Sequence, residues 1–445
     1  MIGEENARDA GGDAYAEGVL DARLGRPPRD VLEATIVLEA WAGRPARKAM
    51  SAARRLVNPG TEAPHVKGHL ERYRDREQQS VVMEGIALVL SILSIASWAT
   101  PLSRALGPHV LAQAIRVSLP VSFALQWGLR SRYLSRRSGL ALLARDWLAC
   151  CAFAIVAVEL PLVLMSDWGP IAAMLVAIWT GGTVLVRRGW GLIYAFSLAT
   201  GTVALERHAP AHVVLEAITA FALLTCAVAV FTCRTPTDER AGSVPRALLA
   251  ALLGSCVGVL LIADPSVGWG VHGIHPAIAL VPSVIGSLWG GYYLWNFYEA
   301  IPHGLSGVPL HRASRIGLKD PAMSIFLGAI TRLVAATIIL SSVVIMLGRF
   351  TRGTDELSVF VAFGFVALVS LLIGLLETLS LRRSALIAAV AAVAAELAWR
   401  STVHWPISGA ALIAGATVGV ALTLVPVVAL LARSGRVLAT TLWIQ

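Results

Sequence analysis

Val110–Asp146 reads VLAQAIRVSLPVSFALQWGLRSRYLSRRSGLALLARD. Its first part is an apolar run, His109–Trp127, interrupted by one cation, Arg116. A run of about 20 apolar residues spans a bilayer as a helix. The second part is a loop bearing Arg130, Arg132, Arg136, Arg137 and Arg145, after which a new apolar run begins. Short loops rich in Lys and Arg stay on the cytoplasmic side. The stretch therefore predicts a membrane span, a cytoplasmic loop and the start of the next span, with an arginine inside the first.

The same reading extends over the chain. Of 445 residues, 56% are hydrophobic and 15% charged, and mean hydropathy is +0.69. Soluble domains carry about 25% charged residues. Ala, Leu and Val dominate without two-residue alternation, so the spans are helices rather than barrel strands. Twelve are expected, at 81–98, 109–128, 146–165, 169–186, 190–205, 211–232, 246–263, 277–298, 323–347, 357–380, 384–399 and 407–431. With the N-terminus inside, 17 Lys and Arg fall on inner loops and the C-terminal tail, counting Arg246 at the mouth of the seventh span. Five fall outside: Arg104, Arg207, Arg349, Arg352 and Arg400. That asymmetry predicts a multi-pass plasma-membrane protein with both termini cytoplasmic. It also accounts for the net charge of +9 without invoking nucleic acid.

The expected fold class is an all-α polytopic membrane protein of about 12 transmembrane helices in two six-helix halves, with a cytosolic helical N-terminal tail. The domain boundaries are 1–80 for the tail, 81–232 and 246–432 for the halves, 233–245 for the joint and 433–445 for the C-terminal tail. In each half the longest inner loop follows the second span, which suggests two parallel halves related by an axis along the membrane normal.

The tail holds 13 Lys and Arg and 13 Asp and Glu, and no early apolar run reads as a signal peptide. Asp30 and Glu33 form a capping-box pattern before VLEATIVLEAWAG. The next helix, RPARKAMSAARRLV, is basic. Two roles are open for it: lying on an anionic inner leaflet, or packing on cytosolic loops. Residues 29–57 are also a candidate surface for a cytosolic or membrane partner.

A charge deep in a bilayer usually faces an interior or a wet cavity. Glu84, Glu216, Glu377 and Glu396 lie within a turn or two of a span end, where headgroups and interfacial water reach them. Arg116, Glu159 and Arg332 lie deeper and are the candidate substrate-binding residues. Arg116 and Glu159 stand at similar depths on adjacent spans, so a structural ion pair is one reading. Arg332 has no acid near it in sequence. Either a wet cavity holding an anion or an acid from another span, such as Glu84 or Glu377, would partner it. The guanidinium fork suits phosphate or carboxylate.

The loop after the eighth span, LWNFYEAIPHGLSGVPLHRASR, places Trp295, Tyr298, Glu299 and His303 at the inner interface, as a gating or interface loop. The spacing of Glu299, His303 and His311 matches no metal signature, and the five cysteines form no CxxC pair. No metal or other cofactor and no catalytic residue is expected. No Walker A, HExxH or GxSxG motif occurs. The first outer loop, ATPLSRALGP, has no carboxylate, which disfavours a lipid-dependent glycosyltransferase, and the short outer loops disfavour a polymerase or ligase.

The six-plus-six layout, short outer loops and buried arginines resemble flippases of the multidrug/oligosaccharidyl-lipid/polysaccharide exporter superfamily. The resemblance covers residues 81–432 in layout and is anchored by no motif. It implies alternating access and export of an anionic lipid-linked saccharide or polysaccharide precursor across the cell envelope, with membrane lipids as partners. The major facilitator superfamily has a similar layout, but Gly128–Gly139, GLRSRYLSRRSG, lacks the aspartate of that family's G-x-x-x-D-R-x-G-R-R pattern. A non-transporting membrane subunit of a surface-polymer assembly is a reading from another class. An integral-membrane enzyme is a third, resting on the Glu299–Arg312 loop alone.

Overall fold

The computed structural model describes residues 14–24, 28, 31–42, 45–57, 70–129, 131, 168–187, 189–206, 209–232, 244–269, 275–286, 319–352, 357–378, 381–403 and 407–431. Those residues are helical apart from turns and the single 3-10 turn Pro265–Val267, with no strand among them. Near the N-terminus lie α1 (14–24), α2 (Val31–Trp41) and α3 (Ala46–Leu56). Next come α4 (Leu70–Ser97), α5 (Ala99–Leu106), α6 (Pro108–Leu129), α7 (Gly169–Arg187), α8 (Gly191–Glu206) and α9 (Ala211–Thr232). The rest are α10 (Val244–Ile262), α11 (275–286), α12 (Lys319–Arg352), α13 (Leu357–Thr378), α14 (Arg382–Thr402) and α15 (Ala410–Leu431).

Seven of the described helical stretches are long and apolar enough to cross a membrane, and α8, α10 and α11 are shorter apolar helices. The chain is an all-helical, multi-pass membrane protein. Helices occupy every expected span except the third, 146–165, which lies outside the described residues together with the later part of the eighth. One expectation is corrected: the first outer loop is largely helix. Ala99–Leu106 forms α5, with Ala99, Pro101 and Leu102 buried as it packs against α6 and α9. Proline is tolerated in a first helical turn, where its missing N–H has no intrahelical partner to lose, so Pro101 does not stop the helix.

Helices α4 to α9 pack among themselves, as do α10 and α12 to α15. The most extensive contact among the described helices joins the two groups, between α6 and α10. Lipid tails are as apolar as leucine, so helices associate in a bilayer by close van der Waals approach, which small residues permit. Helix α10 supplies Gly254-Ser-Cys-Val-Gly258. A methyl group on Gly254 would run into the Phe123 carbonyl, and one on Gly258 would stand 2.5 Å from Pro120 Cα. From the other side, Gly128 faces Ala251. The order of these contacts makes the pair antiparallel.

In the first group, buried polar atoms bond to backbone carbonyls across helices. Trp98 Nε1 donates to the Leu198 carbonyl at 2.9 Å, and the Tyr194 hydroxyl donates to Ile178 at 2.8 Å. Gly182 leaves the room that the Tyr194 ring fills.

The N-terminal helices have their own core of Ala16, Leu20, Ala34, Val37, Leu38, Ala49, Ala52, Ala53 and Val57. The Arg23 guanidinium lies over the Trp41 ring at 3.9 Å, linking α1 to α2. Ile36 and Met50 instead join the main apolar cluster. The basic side of α3, with Arg47, Lys48 and Arg54, is exposed.

Gly254→Ala or Gly258→Ala is expected to destabilise the protein by ~1–3 kcal/mol through overpacking. Gly374→Ala, in a site with nothing within 4 Å of the new methyl group, is expected to be neutral or mildly stabilising. Thermal unfolding of the purified protein in detergent checks the ranking.

Candidate functional site

The deep cations stand on separate helices. Arg116 is a partly exposed residue of α6, one turn before Pro120. Proline offers no N–H, so the Arg116 carbonyl loses its helical donor at the level where Gly258 crosses. Arg332 lies on α12 within the apolar span Phe326–Arg349. It is exposed, on a face shared with Thr331, Ile338, Ile339, Ser342 and Val343. Neither arginine has a hydrogen-bond or ion-pair partner among the described residues. Glu377 does not serve Arg332; it pairs with Arg382 of α14 at 3.8 Å. Among the described residues α6 packs mainly on α5, α7 and α10, and α12 on α13, so the two arginines stand on helices that are not packed closely on one another. Glu159, Trp295, Tyr298, Glu299 and His303 lie outside the described residues.

Another polar arrangement among the described residues lies where α10 and α14 end and α15 begins. Helix α14 buries Ala385, Ala388, Ala389, Ala392 and Glu396, a single stripe at helical spacing. Against it α15 sets Gly415-Ala-Thr-Val-Gly419. A methyl group on Gly415 would stand 2.7 Å from the Ala392 carbonyl and 2.8 Å from Glu396 Cβ, with Leu260 of α10 at 3.2 Å. Glu396 is thus enclosed by three helices. It is 0% exposed, and neither carboxylate oxygen makes a well-formed hydrogen bond, although the backbone N–H of Asp264 faces it. Counting residues from the span end placed Glu396 in reach of interfacial water. It lies six residues before Thr402, about 9 Å along the helix, but on the buried face.

Asp264 and Arg400 are its charged neighbours. Arg400 is exposed and donates through Nη1 to the Ala263 carbonyl at 2.9 Å. Asp264 is 6% exposed and caps the 3-10 turn, accepting from the Ser266 amide at 2.9 Å and from the Ser266 hydroxyl. Ser266 Oγ in turn accepts from the Gly409 amide at 2.7 Å. Gly409, with φ +78°, sits against Val359 at the start of α13, a left-handed conformation that glycine adopts at low cost. Trp269 Nε1 donates to the Leu261 carbonyl at 2.7 Å, and its ring meets Phe363 edge-on at 6.1 Å. The connection after α10 therefore ties together the ends of α13, α14 and α15. Beside it opens a small pocket lined by Ser266, Val267, His275, Pro276, Ala279 and Phe360.

The sequence had signalled this site twice, in the alanine stripe that runs into Glu396 and in the spacing of Gly415 and Gly419. No group of His, Cys, Asp and Glu able to hold a metal occurs among the described residues. Ser266→Ala removes the acceptor of the Gly409 amide and a donor to Asp264. The expected cost is ~1–3 kcal/mol, read as a lowered Tm; Ser401→Ala, which loses only an exposed bond within α14, is expected to leave Tm unchanged.

No family model matches the chain. No curated protein matches it. Among solved structures it is similar to a crystal structure of a MATE in complex with MaL6, at 12% identity over 82% of this chain and 96% of that one, with a TM-score of 0.43.

Proposed function

We propose that this chain is an alternating-access membrane transporter that flips or exports an anionic lipid-linked saccharide or polysaccharide precursor. Arg332 carries the reading. It is a cation within an apolar span, on an open helix face, with no partner among the described residues. Holding such a charge in place costs several kcal/mol unless water or an anion meets it. A phosphate-bearing headgroup supplies what the guanidinium fork lacks. Arg116 adds a second cation on the other side of the α6–α10 contact. Two helix groups joined mainly along one close seam can rock about it, as alternating access requires.

The N-terminal helices favour a second reading, in which the chain is a subunit of a surface-polymer assembly. They hold their own core and present Arg47, Lys48 and Arg54 outward, a surface that suits an acidic partner. Transport in liposomes containing the purified chain alone separates the two.

With a fluorescent lipid-linked saccharide, Arg332→Ala is expected to slow flipping about tenfold or more, the loss of a charge-assisted hydrogen bond of ~1.5–3 kcal/mol. Arg332→Lys, which keeps the charge and loses the fork, should fall between that variant and the unmodified protein. Equal rates for the unmodified chain and an Arg116→Ala, Arg332→Ala double variant would remove both arginines from the pathway. No flipping by the unmodified chain, with recovery of a partner that is lost when residues 1–80 are deleted, would favour the subunit.

A further inference from the structure

We propose that Glu396 is a proton-binding site whose neutral form seals the junction of α10, α14 and α15. The inference stands apart from any transported substrate. Its basis is geometric: the carboxyl is wholly buried and neither oxygen makes a well-formed hydrogen bond. An ionised carboxylate enclosed in apolar surroundings costs several kcal/mol unless it is paired and hydrogen-bonded. The groups facing it pair it only in part: the Asp264 backbone N–H and the Arg400 guanidinium favour the ion, and burial and the Asp264 carboxylate oppose it. From its own helix comes Arg400, whose Nη1 is engaged by the Ala263 carbonyl. From the end of α10 comes Asp264, a second acid. Helix α15 contributes no ionisable side chain along Ala410–Leu431. The uncharged acid is the form that this packing accommodates.

A route for the proton is also present. Asp264 accepts from the hydroxyl of Ser266, and Ser266 lines the pocket that also contains His275. A proton from water in that pocket passes by way of Ser266 and Asp264 to a Glu396 oxygen, forming the carboxyl O–H; release follows the reverse path. Close packing of Gly415 against Ala392 and Glu396 leaves no room for hydration while the helices are together. Ionisation therefore requires the ends of α10, α14 and α15 to part, so that water or the Arg400 guanidinium reaches the carboxylate. Proton occupancy and closure of this end are coupled.

Infrared difference spectra of the full chain in lipid nanodiscs, taken between acidic and alkaline buffer, test this directly. The unmodified protein should lose a protonated-carboxyl C=O band on alkalinisation. Glu396→Gln should lack that band, and Glu377→Gln should retain it. Glu396→Asp should shift the band, and carries the test if the glutamine variant does not fold. Identical spectra for the unmodified protein and whichever Glu396 variant folds would overturn the assignment. Thermal unfolding supplies a second readout: the Tm of the unmodified protein should drop by several degrees more than that of Glu396→Gln as pH rises, because the amide stays neutral. Equal pH profiles would show that the proton does not hold the junction closed. In a pH jump, Ser266→Ala should slow the change in the carboxyl band several-fold, and an unchanged rate would rule out the route through Ser266.

Discussion

The close approach of α6 and α10 is the constraint on which the rest of the arrangement depends. In water, two apolar helix faces associate because water is expelled. In lipid that drive is absent, and what remains is the sum of many short contacts. Such a sum is large only where backbones approach, and Gly254 and Gly258 permit it. Phe123 and Pro120 fill the space that side chains would otherwise take. The same logic recurs where Gly415 and Gly419 meet Ala392. Helix α10 takes part in both regions, packing on α6 and on α14. A displacement of α10 is therefore felt along the seam between the two helix groups and at the Glu396 junction.

Polar groups in a bilayer interior must find partners within the protein. In the first helix group Trp98 and Tyr194 follow this rule, each reaching a carbonyl on a neighbouring helix, while the Ser122 hydroxyl does not. At the Glu396 junction the rule holds for Ser266 and for Nη1 of Arg400, and fails at Glu396 itself. A buried carboxyl without a well-formed hydrogen bond is costly as an anion and much less so as a neutral acid. Retaining glutamate where alanine would continue the stripe of α14 makes physical sense if the group gains and loses a proton.

Much of the architecture was legible because span length and hydropathy are set by bilayer thickness. Ala211–Thr232 was read with both ends in place, and Gly169–Arg187 within one residue. Helix α5 was misread because its eight residues are too few to span anything. Its burial comes from tertiary contact with α6 and α9, which composition does not encode. Glu396 was misjudged for a different reason. Depth along a helix axis can be counted from sequence, but exposure also depends on azimuth, and azimuth is fixed by the partner helix. The glycine pairs at 254 and 258 and at 415 and 419 carried that azimuthal information, since the face bearing them is the face that packs.

The two kinds of charge within the apolar helices sit in opposite settings. Arg116 and Arg332 occupy partly or fully exposed faces of their helices. Glu396 is sealed from solvent, and no water or dissolved ion reaches it unless helices separate. An open cation suits recognition, because its partner arrives from outside. A sealed carboxyl suits control, because its ionised form is not accommodated while the packing holds. If both operate in one molecule, proton exchange at Glu396 biases the α10–α14–α15 junction, and α10 passes that bias to the α6 seam beside Arg116. The sole physical connection this requires is the contact of α10 with both neighbours, which makes α10 the element through which proton and anion would sense one another.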